Sequence, residues 1–148
     1  MVSITFEVRG DPVSKGNVRA FANKTTGHVH YANAGGKKLT DWMEAMRSEA
    51  RHVAPPSLWE GPVRVEMTFI VSRPQYLRKI PKRGPPKPRV WPAKKPDLDK
   101  YERGVLDAIT GVIIVDDGQV IETAATKLYD YDAPPGVQVL IETKDSPP

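Results

Sequence analysis

Between Lys95 and Val120 the chain reads KPDLDKYERGVLDAITGVIIVDDGQV, with aspartates in two tight pairs, Asp97 with Asp99 and Asp116 with Asp117. Residues two apart on an extended backbone point to the same side, so Asp97 and Asp99 can converge on one cation. Adjacent residues face opposite ways, so only one of Asp116 and Asp117 is expected to join them. Three carboxylates brought together repel unless a positive charge neutralises them, and a divalent ion does so. Magnesium suits such a set: it takes oxygen ligands, keeps several waters, and needs few carboxylates when a substrate phosphate supplies the rest. Each pair taken alone has a plainer reading, since an Asp ahead of a helix caps it and Asp-Asp-Gly makes a turn. What points to chemistry is the combination of two acidic pairs, one short helix between them, and a long basic segment alongside.

With a phosphodiester as substrate, a metal held by these acids would activate a water for in-line attack, and a second ion or a cationic side chain would stabilise the leaving oxygen. Arg103 stands four residues after Asp99 on the same helical face. It either pairs with that acid or reaches the phosphate.

The elements that must position these groups can be read from periodicity. Val2 to Arg9 alternates apolar and polar residues, as does Pro62 to Ser72, and both predict strands. Leu39 to Val53 places apolar residues at 39, 42, 43, 46, 50 and 53, the spacing of an amphipathic helix that Pro55-Pro56 stops. A second helix is expected from Asp99 to Thr110, with Asp99 and Glu102 at capping-box spacing and Gly111 as its C-terminal cap. Val112 to Val115 reads as a short apolar strand or edge segment, Asp116-Asp117-Gly118 as a turn, and Gln119 to Tyr131 and Val137 to Thr143 as two further strands. Gly10 to Lys38 reads as a long basic loop with a short strand at His28 to Tyr31. The expected fold is a single α/β (α+β) domain over residues 1–148, a mixed sheet with two main helices packed against it.

Charge is unevenly spread. The net charge is +4, yet Arg73 to Lys95 holds nine Lys or Arg and no acid, a pattern that favours a polyanion, nucleic acid above all. Seven prolines between Arg73 and Pro96 predict a protruding, non-helical loop with extended stretches. Lys15, Arg19, Arg78, Lys79, Lys82, Arg83, Arg89, Lys94 and Lys95 are expected to surround the acids and bind phosphates. Trp91 reads as an anchor for its loop, with stacking on an unpaired base as the alternative. His28 and His30 alternate along a possible strand and read first as surface residues without ligand function, with metal binding as the alternative. The absence of cysteine excludes disulfides, thiolate metal sites and thiol nucleophiles. No long apolar span or signal-peptide pattern is visible, so a soluble intracellular protein is expected.

The Lys95–Val120 run resembles the signature of the RusA-type Holliday-junction resolvases, in which D-x-D-N opens a helix reading K-A-x-x-D-A-L and D-D-x-Q-V follows. GDPVSKGNVR is similar to that family's G-x-P-x-S-K-x-x-x-R pattern. The resemblance implies a homodimer that binds four-way DNA junctions in the bacterial cytoplasm, phage or prophage encoded, and makes paired nicks with Mg2+ or Mn2+. It assigns the metal-binding aspartates to Asp97, Asp99 and Asp117. The family's lysine falls on Arg103, which keeps the charge but cannot donate a proton at ordinary pH. Lys100 stands where the family has asparagine. Two related readings are a nuclease of the same chemistry acting on flaps or forks, and a junction-binding protein that no longer cuts. Because two symmetric nicks need two sites, the apolar residues of Leu39 to Val53 are weighed as a dimer surface, with core packing the first reading for most of them.

Overall fold

The computed structural model describes residues 1–16, 24–28 and 36–148 with their side chains, and 18–22 and 29–33 through their backbone. Alternation in the strands and three-four spacing in the helices converge on one core. In β4 (Val63–Val71), Val63, Val65, Met67 and Phe69 turn to one face and are buried, while Arg64, Glu66 and Thr68 occupy the other. The partner strands β1 (Ser3–Arg9), β5 (Val120–Tyr129) and β6 (Gly136–Thr143) complete a four-stranded sheet in the order β1-β6-β4-β5. The β1–β6 and β6–β4 pairs are antiparallel and β4–β5 is parallel, so the sheet is mixed.

Two helices cover its apolar face. Helix α1 (Gly36–His52) buries Leu39, Trp42, Met43, Met46 and Ala50, and helix α3 (Leu98–Ile109) buries Tyr101, Gly104, Val105, Ala108 and Ile109. The helices meet at Gly104, where a methyl group would sit 3.5 Å from Met46 Cε and 3.7 Å from Met43 Sδ, ordinary contact distances. Tyr101 stacks on Phe69 of β4 at 5.2 Å between ring centres, fixing α3 to the sheet. Of the apolar residues weighed as a dimer surface, Leu39, Trp42, Met43, Met46 and Ala50 are therefore core residues, while Val53 is exposed. The fold is the expected α+β architecture, with an additional antiparallel arm of β2 (Val18–Ala22) and β3 (Val29–Asn33) where a loop with one short strand was expected.

Three local expectations are corrected. The segment Val112 to Val115 is not a strand. Gly111, at φ +79°, reverses the chain after α3 so that Ile113 and Ile114 plug the core, and only isolated bridges join Ile114 to Trp59 and Thr110. Helix α3 starts at Leu98 and its N-cap is Asp97, so the capping box of Asp99 and Glu102 does not form. The proline-rich segment holds one helical turn, α2 (Gln75–Arg78), which fits between Pro74 and Pro81 because no proline interrupts it.

That segment is also tied down. At its start the Arg73 backbone N–H and Nε both donate to Asp130 Oδ1, at 2.9 and 3.0 Å. Further on, Arg89 forms a two-pronged pair with Asp132, at 2.7 and 2.8 Å. Both guanidinium groups lie over the Tyr131 ring, at 4.8 and 5.0 Å, and the Tyr131 hydroxyl accepts from Val90 N–H at 3.2 Å. Trp91, by contrast, is 71% exposed and does not anchor the loop. Its expected role passes to the two arginines gripping the corner between β5 and β6.

Candidate active site

Asp97, Asp99 and Arg103 belong to the start and first turns of α3, and Asp117 to the turn that leads into β5. Asp97 occupies the N-cap but makes no side-chain capping hydrogen bond. Its carboxylate is paired with Lys95 instead, at 2.6 Å. The Lys95 hydrogen bond holds the Asp97 carboxyl below its ordinary value, helped by the charges of Lys95, Lys100 and Lys127 against a smaller opposing effect of burial. Asp99, in the first turn, shares a hollow of about 630 Å³ with Lys15, Glu102, Arg103 and Asp107. Glu102 is pushed upward by burial and by the charge of Asp99, with a Thr123 hydrogen bond working the other way.

Arg103 is the hinge of the arrangement. Its Nη1 lies 2.9 Å from Asp117 Oδ2 and 3.9 Å from Asp107 Oδ1. Asp117 is thereby tied to α3 through Arg103, across the turn that follows the helix. Asp116 and Asp117 divide their work as adjacent residues must. Asp116 caps the short 3-10 turn Asp117–Gln119 by accepting from Gly118 N–H, while Asp117 points to Arg103.

Two residues without a role in the sequence reading hold this geometry. Gln119 uses all of its amide: Nε2 donates to the carbonyls of Trp59 and Gly61 at 2.7 and 2.8 Å. Its Oε1 accepts from the N–H groups of Val115 and Asp116, both at 2.9 Å. The Asp116-Asp117 turn is therefore fixed to the segment that enters β4. Asp107 receives Lys15 and faces Arg103, joining the first loop to α3. The fixed spacing of Asp107 from Arg103, one helical turn on, was the available signal; the partnership of Gln119 with a loop some sixty residues earlier had none.

The expected phosphate-binding cations divide into two groups. Lys15, Lys94, Lys95 and Arg89 are each engaged, with Asp107, the Tyr76 hydroxyl, Asp97 and Asp132 respectively. Arg78, Lys79, Lys82 and Arg83 are exposed on the basic segment. Arg89 lies in the grip on Asp132. The side chains of Arg19 and His30 lie outside the described residues. His28 is exposed.

The donor chemistry suits a hard divalent cation, since it consists of carboxylate oxygens with Asp97 and Asp117 partly open to solvent. In the free chain Lys95 and Arg103 neutralise these two acids, and among the described residues no three Asp, Glu or His side chains are gathered as a metal-binding group. Gathering Asp97, Asp99 and Asp117 on one ion is a rearrangement that this structure does not display.

Residues 9–142 match the family described as endodeoxyribonuclease RusA. The chain belongs to that family of endodeoxyribonucleases. It is also 31% identical over 144 residues to a Bacillus subtilis (strain 168) protein described as uncharacterized protein YqaN, an alignment covering 95% of this chain and 96% of the relative. No helix among the described residues is long and apolar enough to cross a membrane.

Proposed function

We propose that this chain is a metal-dependent, structure-selective endonuclease that resolves four-way DNA junctions by paired nicks, working as a homodimer in the cytoplasm of a bacterial host, from a phage or prophage gene. The observation that carries this reading is the Arg103–Asp117 contact, which joins the acidic turn to the helix that Asp97 and Asp99 open. Asp97, Asp99 and Asp117 would hold Mg2+, with Mn2+ able to substitute, and the ion would supply a water of lowered pKa at neutral pH. Arg103, released from Asp117, would hold a phosphate oxygen through its charged fork and stabilise the charge that grows there. Proton donation to the leaving oxygen falls to water or another group, because a guanidinium stays protonated. Lys15, Lys94 and Lys95 would offset the repulsion between these acids and DNA. Two copies related by a twofold axis would present two such sites, one for each nick.

The test compares a synthetic four-way junction, a forked duplex and a linear duplex of the same sequence, each with Mg2+ or with chelator. The expected outcome is ion-dependent cutting of the junction at two symmetric positions. Preference for the fork would move the reading to a flap or fork nuclease; junction binding without cutting would mark a decayed enzyme; and ion-independent cutting would remove the metal.

A further inference from the structure

Lys95, the partner of Asp97, and Pro96 also line a cleft of about 470 Å³, within the roughly 300–1,000 Å³ typical of small-ligand sites. Its walls are aromatic and proline rings, with Tyr76 and Tyr129 prominent, and its rim carries Lys94 and Lys95. Tyr76 is 50% exposed although its ring is held in place. Its hydroxyl accepts from Lys94 Nζ at 2.9 Å, and its carbonyl accepts from Lys87. Tyr129 is braced edge-on by Tyr131, at 6.2 Å and 88°. Lys127 spends its ammonium on the carbonyls of Lys94 and Pro96, at 2.7 and 2.8 Å, which fixes the segment between cleft and acids. Asp11, the one carboxylate lining the cleft among the described residues, is occupied by the N–H and hydroxyl of Ser72, at 3.1 and 2.5 Å.

Aromatic faces with cations at the rim are how proteins hold an unpaired base while its phosphate meets positive charge. A stacked base pair presents no free face, so such a cleft discriminates by strand state rather than by sequence. Lys95 touches both the cleft and Asp97, so a phosphate held there lies next to the acids.

We propose that this cleft receives one unpaired nucleotide of the branched substrate, its base against Tyr76 and Tyr129 and its phosphate on Lys94 and Lys95. The assignment rests on the nuclease reading and gives it a source of branch selectivity, since the open centre of a junction supplies an unstacked nucleotide and a linear duplex does not.

The experiment titrates the full chain into a short single-stranded oligonucleotide carrying one 2-aminopurine, and into its duplex, reading the fluorescence quenching that stacking on an aromatic ring produces. Wild-type protein should quench the single strand. Tyr76→Ala should weaken single-strand binding about ten-fold, within the range for loss of one base–aromatic stack. Tyr76→Phe should retain wild-type affinity and Tyr76→Trp should bind at least as tightly, while duplex binding stays constant throughout. Absence of quenching in the wild type, or wild-type affinity in Tyr76→Ala, overturns the assignment. Junction cleavage is scored on the same preparations. Cleavage with unchanged strand binding in Tyr76→Ala removes the cleft and keeps the nuclease; strand binding lost in Tyr76→Ala without any cleavage by the wild type does the reverse.

Discussion

Replacing Arg103 with alanine separates what this residue does for the fold from what it does for DNA. Its contact with Asp117 is short, 2.9 Å, but the two side chains are 55% and 39% exposed. Ion pairs that open to solvent contribute about 0–1 kcal/mol. For a chain of this size 1 kcal/mol corresponds to roughly 2–4 °C in melting temperature, so Arg103→Ala should lower it by no more than that. Catalysis should respond on another scale. Loss of one preorganised group aimed at developing charge costs about 10²–10³ in rate, and the single-turnover cleavage of a four-way junction should fall by that factor. Arg103→Lys keeps a cation at this position but gives up the fork, so it should recover only part of the lost rate. Melting and cleavage are measured on the same preparations. A melting point lowered by more than about 8 °C, beyond what an exposed pair can supply, would make Arg103 a structural residue. Cleavage by Arg103→Ala at an unchanged rate would make it a spectator.

Other outcomes follow from the contacts that surround the site. Gln119→Ala removes four hydrogen bonds, each contributing about 1 kcal/mol, and should cost about 2–4 kcal/mol in chemical unfolding together with cleavage, because the Asp117 turn loses its tether. Gly104→Ala should stabilise by up to about 1 kcal/mol, since helix propensity favours alanine and its methyl group would meet Met46 and Met43 at ordinary contact distance. Gly136→Ala should instead unfold the β1–β6 edge, because the added carbon would fall 2.1 Å from the Val8 carbonyl oxygen. At Asp130, burial raises the carboxyl, but the hydrogen bonds and charge of Arg73 outweigh it and leave the group below its ordinary value. A carboxyl lowered in the folded state stabilises above its unfolded pKa and loses that contribution as pH falls through the folded value. Thermal melts should therefore show Asp130→Asn less stable than wild type at pH 7, with the gap closing below about pH 4.

What could be read from the sequence divides along the line between local and distant causes. The strands at Ser3–Arg9 and Val63–Val71 and the two helices announced themselves through alternation and three-four spacing, because one buried face imposes that pattern directly on the chain. Ile113 and Ile114 misled for the same reason: a four-residue apolar run looks alike whether it pairs in a sheet or plugs a core. The grip of Arg73 and Arg89 on Asp130 and Asp132 spans more than forty residues, so the proline-rich segment showed its composition but not its anchorage. Asp97 and Asp99 stood out as an acidic pair, yet which of them caps α3 depends on where the backbone leaves Pro96, and spacing alone gave the wrong one. Gln119 was visible within the Asp-Asp-Gly-Gln motif, while its purpose required the carbonyls of Trp59 and Gly61.

The central claim is that Asp97, Asp99 and Asp117 serve one cleavage reaction rather than three separate structural tasks. The most direct measurement is junction binding and single-turnover junction cutting, in Mg2+, by Asp97→Asn, Asp99→Asn and Asp117→Asn. The account predicts that all three bind the junction as wild type does, and that each cuts at least about 10²-fold more slowly. A variant among the three that cuts at the wild-type rate would contradict it.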